Sequence, residues 1–427
     1  MKRLNTITGL TFLYLVLLSL ETYPQTISGR LTSAVYTWQQ RESDSTSANH
    51  IRAYQLAQLT IGNFGLPNLS FHTYLNLSSD FMKKAVTDPR WWLYNCYFEL
   101  RNFANKVDLS IGRQRVYAGV GYGTVDGLQV QSHFRDYFQI KFYLGTLAPL
   151  EKSLQVNRDN LTWGFHVTTA KIKKVHLGLS FAHHSIAPIQ YSSPGQFTGA
   201  FRIDHPIPAL QRQLVGLDVS SSINQKLRLN GRLDFNLVEQ NVKRGELGGR
   251  YKVNRDFEIG LDYIYRKPYF DFNSIFSVFT LNPNQEFAFH TNYQWKGYRF
   301  FFNYSKVLFH GDDSQRIGFG CNWKTYYLGY HRRSGYGGHS DGLTANFLYP
   351  VREKLNISLS SNFASYKLYP LAKERDQVLA GSLGLNYQPS KQLSLQAEAQ
   401  GLRNVRFSRD VRFFFRGSYA FFHRIRR

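Results

Sequence analysis

From Leu227 to Leu237 the chain reads Leu-Arg-Leu-Asn-Gly-Arg-Leu-Asp-Phe-Asn-Leu. Side chains along a strand alternate between faces, so the leucines, Gly231 and Phe235 share one side while Arg228, Asn230, Arg232, Asp234 and Asn236 share the other. A segment of this kind needs an apolar phase on one side and water on the other. The same rhythm returns from near residue 29 to the last few residues. One such strand fits a soluble antiparallel sheet; this many of them propose a closed membrane barrel with a wet interior.

The bulk numbers agree. A soluble chain of 427 residues usually divides into two or three domains, yet no linker divides this one. Aromatic residues make up 16% while mean hydropathy is only −0.37, as expected when half of every strand faces water. The net charge of +23 invites a nucleic-acid reading, but the basic residues are spread through the alternating segments rather than gathered in one patch, which speaks against it. Cys96 and Cys321 both fall on the apolar side of their strands and do not suggest a disulfide or metal pair.

Taken in order, Lys2 and Arg3 precede an apolar run from Ile7 to Leu20, broken by Glu21, Pro24 and Gln25. This is the pattern of a secretory signal peptide, residues 1–25, with a weakly marked cleavage site between Thr22 and Ser28. Residues 26–427 are then the barrel. No later apolar run is long enough for a transmembrane helix, so spans must be strands.

Alternating segments follow at Leu69–Leu77, Trp92–Arg101, Leu161–Thr168, Val175–Ala182, Phe257–Arg266, Phe287–Trp295, Tyr298–Ser305, Ile317–Trp323, Leu355–Phe363, Gly381–Tyr387 and Leu393–Gly401. In Trp92–Arg101 the alternation puts Trp92, Tyr94, Cys96, Phe98 and Leu100 outward, against Leu93, Asn95, Tyr97, Glu99 and Arg101. Short connections such as Asn224-Gln225-Lys226, Asn254-Arg255-Asp256 and Lys296-Gly297 alternate with longer ones at Arg41–His50, Ser79–Arg90 and Pro268–Asn284. That habit assigns the short turns to the periplasm. The expected fold is all-β, a transmembrane antiparallel up-and-down barrel of about 22 strands, with a range of roughly 18–24. An even count brings both termini to the periplasmic side. Aromatic clusters at Trp91-Trp92, Tyr293–Trp295, Trp323 with Tyr326-Tyr327, and Phe413–Phe422 are expected to form two interfacial girdles.

A barrel of this size encloses a channel or a plugged lumen. The first alternating segment starts within a few residues of the signal, which leaves no room ahead of it for a plug domain. Two stretches are candidates to narrow the pore. Ser110–Gly127 is read as a compact, glycine-rich, sharply turning loop between two strands, carrying Arg113, Arg115, Tyr117 and Tyr122 near the lumen with Asp126 opposite. It is a poor phosphate loop, because no Lys-Ser/Thr follows and no helix begins there. His183–Gln213 is the longest irregular stretch, with Pro188, Pro194, Pro206 and Pro208 against strand pairing.

The inward side also carries Arg101, Arg228, Arg232, Arg250, Lys252, Arg266, Arg299, Arg412 and Arg416 against Glu99, Asp108, Asp234, Glu246, Glu258, Asp262 and Glu398. Their modest excess of cations predicts a mild anion preference, unless the charges simply pair across strands. The Gly112-Arg113-Gln114 triplet and the glycine-rich turn to Asp126-Gly127 resemble a pattern in porin-like and alginate-export-like outer-membrane barrels of Gram-negative bacteria. The aromatic strand Val411–Phe422 resembles the signal recognised by the barrel-insertion machinery, although His423–Arg427 follows it.

The reading is therefore a non-enzymatic, porin-like channel in the outer membrane for small hydrophilic, in particular anionic, solutes. It needs no cofactor or metal, and its partners are outer-membrane lipid, the insertion machinery and the solutes themselves. A homotrimer leaves no mark that distinguishes its interface from a lipid-facing wall. Two alternatives remain open at this level: a sheath or export conduit for a periplasmic partner, such as a multihaem cytochrome or a polysaccharide, and a barrel hydrolase built on His183-His184-Ser185. Against the last, adjacent residues on a strand point opposite ways and no acid lies near in sequence. There is no Cys-x-x-Cys-His for haem and no zinc helix.

Overall fold

The computed structural model describes residues 25–41, 47–63, 66–84, 88–134, 137–148, 160–169, 174–186, 189–192, 204–207, 210–268, 282–367, 374–405 and 407–425. Residues 1–24 of the expected signal segment lie outside them. The first strands are β1 (Thr26–Arg41), β2 (Ser47–Gly62), β3 (Leu69–Asp80), β4 (Arg90–Phe103), β5 (Val107–Ala118), β6 (Gly121–Phe134), β7 (Phe138–Leu147), β8 (Leu161–Thr169) and β9 (Val175–Ile186). A small ribbon, β10 (Ile189–Ser192) with β11 (Asp204–Ile207), follows. The wall resumes with β12 (Leu210–Ser222), β13 (Leu227–Asn236), β14 (Asn241–Lys252), β15 (Phe257–Arg266), β16 (Asn284–Trp295), β17 (Tyr298–Phe309) and β18 (Asp312–Trp323). It is completed by β19 (Tyr326–Gly335), β20 (His339–Arg352), β21 (Leu355–Lys367), β22 (Asp376–Tyr387), β23 (Leu393–Arg403) and β24 (Asp410–Arg424).

Each wall strand pairs antiparallel with its neighbour in the chain, β9 passes directly to β12, and β24 returns to β1, so 22 strands close a single barrel. Closure leaves every wall strand with a neighbour on both sides, the condition for a sheet in hydrocarbon. The C-terminal tail takes part: His423 and Arg424 extend β24 and pair with Ile27 and Thr26. Because the count is even, both termini lie at one end. Every connection at that end is six residues or fewer. The opposite, loop end carries the long connections, residues 148–160, 187–209 and 267–283, but also two-residue turns at 119–120 and 310–311.

The two faces of the wall separate as alternation demands. Leu229, Leu247, Leu261, Phe319, Leu328 and Leu343 are exposed on the outside, where lipid covers them, and the polar residues of the same strands face inward. No helix among the described residues is long and apolar enough to cross a membrane. At the termini end, outward rings on β16–β20 run in contact from Trp295 through Tyr298, Trp323 and Tyr326 to Phe347, with centroids 4.7–6.4 Å apart. Lys296 and Lys324 place their ammonium groups 5.2 and 5.0 Å from the Trp295 and Trp323 rings. Amphipathic rings capped by snorkelling lysines suit the headgroup boundary.

Three expectations change. A bulge displaces Tyr94, so that Asn95 faces Tyr74 while Leu93 faces Leu75. Consequently Leu93 points outward and Trp92 inward, the reverse of uninterrupted alternation; one extra residue flips the side of everything before it. The supposed irregular stretch His183–Gln213 is shorter, because residues 183–186 belong to β9 and 210–213 to β12, and Pro206 sits in the β10–β11 ribbon opposite Gln190. Pro188, Pro194 and Pro208 lie outside the described residues. Finally, Ser110–Gly127 is no loop: β5 and β6 run through it and meet at the two-residue turn Gly119-Val120.

Candidate functional site: a hairpin folded into the barrel

A wall one sheet thick buries little, and the buried apolar clusters gather in one region. Val116, Ala118 and Val125 pack on Tyr143, and Val120 packs on Ala182 and Leu214. Strands β5 and β6 are responsible. Pairing of β4 with β5 ends at Cys96 opposite Arg113, and pairing of β6 with β7 ends at Val125 opposite Leu147. Between these points residues 115–123 pair only within the hairpin, Arg115 with Thr124 through Ala118 with Gly121. The far half of the hairpin has left the wall.

Its direction follows from what it touches. The Val120 N–H donates to Ser180 Oγ at 3.1 Å, and Lys141 Nζ donates to the Tyr117 carbonyl at 3.1 Å. Ser180, Lys141, Tyr143, Ala182 and Leu214 all stand on the polar, inward side of β7, β9 and β12, so the hairpin lies inside the lumen. Sequence and backbone explain the bend. Gly112 has φ +127°, a region closed to L side chains, and a Cβ there would strike the β4 backbone at Cys96 and Tyr97. Gly119 (φ +64°) opens the tight turn at the tip. The wall makes room: a Cβ on Gly216 would collide with Val120.

Folding back inverts the faces of the hairpin. Gln114, Val116, Ala118 and Val125, inward by alternation, become the buried underside. Arg115, Tyr117, Tyr122 and Thr124, which alternation assigns to lipid, form the upper side. Tyr117 and Tyr122 are cross-strand partners and are 57% and 60% exposed, and the Arg115 guanidinium lies 5.0 Å from the Tyr117 ring.

At the bend, Arg113 and Asp126 are 0% and 4% exposed. They meet in a two-pronged ion pair, Nε–Oδ1 and Nη2–Oδ2 both 2.7 Å, and Arg113 Nη1 also donates to the Leu93 carbonyl at 3.3 Å. That carbonyl belongs to the part of β4 that β5 no longer accompanies. A buried backbone acceptor without a partner is costly, and the guanidinium replaces the missing strand. These two residues are thus the clasp of the hairpin, not groups open to the pore.

The remaining expected positions lie on the inward side but are spread around the circumference. Arg232 and Asp234 are paired at 3.0 Å on β13, one strand from the hairpin seat at Gly216. Arg266 is at the loop end of β15, Arg299 at the termini end of β17, and Arg412 and Arg416 on β24, with Arg412 bound to Asp410 at 2.7 Å. Alternation did not single out Tyr143, Ser180 or Gly216, which seat the hairpin. A signal existed: Gly164 faces Ala182 and Gly216 faces Ser180, which clusters small residues on the inward side of three consecutive wall strands. His183, His184 and Ser185 form no constellation: His184 binds buried Thr162 at 2.7 Å, and His183, on the other face, stacks on Trp163. No group of three or more potential metal ligands occurs among the described residues.

A closed antiparallel barrel with lipid-facing apolar residues and a wet inner face is a transmembrane β-barrel. No family model matches the sequence, and no curated protein matches it. Among solved structures it is similar to a variant of the ferric enterobactin receptor PfeA of Pseudomonas aeruginosa, with a TM-score of 0.60 and 9% identity over 92% of this chain and 80% of that one. A BenF-like porin of Pseudomonas fluorescens aligns over 93% of this chain and 99% of its own at 9% identity and a TM-score of 0.43. OccAB4 of Acinetobacter baumannii aligns over 94% and 99% at 11% and 0.45. At such identities the likeness to the receptor is one of fold alone, and the two lower scores add no argument.

Proposed function

We propose that this chain is a porin-like channel of the outer membrane, with both termini in the periplasm, passing small hydrophilic solutes with a preference for anions. The β5–β6 hairpin is its constriction. The observation that carries this reading is the hairpin itself: it brings Arg115, Tyr117 and Tyr122, an exposed cationic and aromatic face, over the inner wall of the barrel.

The inner wall supports the sign of the preference. Arg101, Arg232, Arg250 and Arg412 are neutralised by Glu99, Asp234, Asp262 and Asp410 at 2.7–3.0 Å. Arg30, Arg228, Lys252, Arg266, Arg299 and Arg416 have no ion pair among the described residues, against Asp108, Glu258, Asp312, Asp376 and Glu398 in the same condition. Walls with an excess of one sign select the opposite ion.

Planar-bilayer recording of the purified chain tests the proposal. Steady ion currents are expected, with a reversal potential favouring anions in a salt gradient. Replacing residues 114–125 by an Asn-Gly turn raises the conductance. Absence of steady current, or a conductance indifferent to that replacement, overturns the channel or the constriction respectively. Erratic current together with a copurifying periplasmic protein would instead support a sheath.

A further inference from the structure

At the termini end, on the opposite side of the hairpin seat from the loop-end mouth, the inner rim of β12–β15 holds an unusual arrangement of charge. Arg228 and Arg250 stand directly opposite each other on β13 and β14. Like charges at facing positions of an antiparallel pair repel. Asp262 neutralises Arg250 through two bonds of 2.8 and 2.9 Å, which leaves Arg228 as the uncompensated member. One row nearer the periplasm, Lys252 faces Glu258 across β14 and β15, and no ion pair forms between them.

Two turn lysines complete the group. Asn224 Oδ1 accepts the N–H groups of Lys226 and Leu227 at 2.8 and 2.7 Å, fixing the turn that presents Lys226. Lys174 reaches the same turn, with Nζ donating to the Ile223 carbonyl at 3.2 Å. Together with Arg228, Arg250, Lys252 and the single carboxylate Glu258, they line a recess of about 500 Å³. A second recess of about 300 Å³ shares Lys252 and Glu258 with it and adds Arg255, Asp256 and Arg299. The first volume falls within the range of about 300–1,000 Å³ usual for small-ligand sites.

The geometry points to a binding site for soluble, multivalent phosphoryl anions, such as a diphosphate or a phosphate ester, at the periplasmic mouth of the lumen. The inference rests on the channel reading for its biological sense and deepens it by naming a substrate class. A guanidinium fork flanked by ammonium groups matches the several oxygens of a phosphoryl group. A concave, low-dielectric wall concentrates the field of its cations on such a ligand. Arg228, Arg250 and Lys252 point to the lumen, so the ligand comes from solution and not from the bilayer.

Calorimetry with inorganic pyrophosphate on the detergent-solubilised full chain tests the site without requiring conduction. The wild type is expected to bind. R228Q and K252Q each weaken binding by about tenfold, the scale of one charge-assisted hydrogen bond. E258Q tightens it, an opposite change that misfolding cannot produce. No binding, equal binding of citrate, a tricarboxylate of similar charge at neutral pH, or E258Q weakening like the other two would overturn the inference. A chain that binds pyrophosphate but passes no current would keep the site and lose the channel; one that conducts without binding would do the reverse.

Discussion

At the scale of single residues, the buried pair Arg113–Asp126 decides where β5 leaves the wall. Removing one partner of a buried ion pair strands the other charge, at a cost of about 3–5 kcal/mol. Arg113→Met is therefore expected to destabilise the folded barrel in thermal melts, and Arg113→Met with Asp126→Leu to recover most of the loss. Gly112→Val should be as damaging, since the side chain meets the β4 backbone and the φ of +127° is closed to valine. On the loop-end turn after β13, burial pushes the Glu239 carboxyl upward, but hydrogen bonds from Lys243 and Asn241 outweigh it and hold it below the usual value. A depressed carboxyl contributes stability above its unfolded value and loses it as pH falls through the folded one. Proteolysis of this turn should therefore increase in acid, and Glu239→Gln should remove that pH dependence.

At the scale of elements, alternation holds wherever a strand has lipid on one side and water on the other, and fails where that condition fails. Phe257–Arg266 is β15 to the residue, because its faces meet their expected solvents at every position but Ile264, which stands on the lumen side between Glu246 and Glu286. In β4 one bulged residue, Tyr94, was enough to exchange Trp92 and Leu93. In β5 and β6 the failure is informative: Arg115 stands on the lipid side by alternation, which makes no sense in a wall strand and good sense in a hairpin turned inward. Unseating that hairpin has a predicted consequence. Gly216→Leu puts a side chain where Val120 packs, so single-channel records should change from a steady level to frequent transitions toward larger conductance; an unchanged level would mean that the hairpin does not set the pore.

At the scale of the whole molecule, a 22-stranded wall has a wide interior, and one hairpin on one side of it narrows the passage without filling it. Selectivity then depends on the net field of the inner wall, which salt screens with a Debye length of about 10 Å at 0.1 M. The anion preference should accordingly be largest at low ionic strength and fade as salt rises. Charge reversal at Arg299 or Arg416, both without an ion pair among the described residues, should reduce it, and reversal at Arg232 should reduce it at least as much, because its partner Asp234 would be left uncompensated at the same time.

The amino-acid order by itself determined the class of fold, a strand number within roughly 18–24 and the side on which nearly every wall residue lies, because each strand meets lipid and water locally and needs no distant partner to state its preference; closure at 22 strands came from the structure. The same order also marked Ser110–Gly127 as the stretch to watch, through its glycines and its charges. Only the tertiary structure decided that this stretch is a strand pair folded inside, that Arg113 and Asp126 are its clasp, and that Tyr143, Ser180 and Gly216 are its seat. Those roles depend on contacts between β5–β6 and strands up to about a hundred residues further along, and a pattern that repeats every second residue carries no information about which distant wall a hairpin will meet.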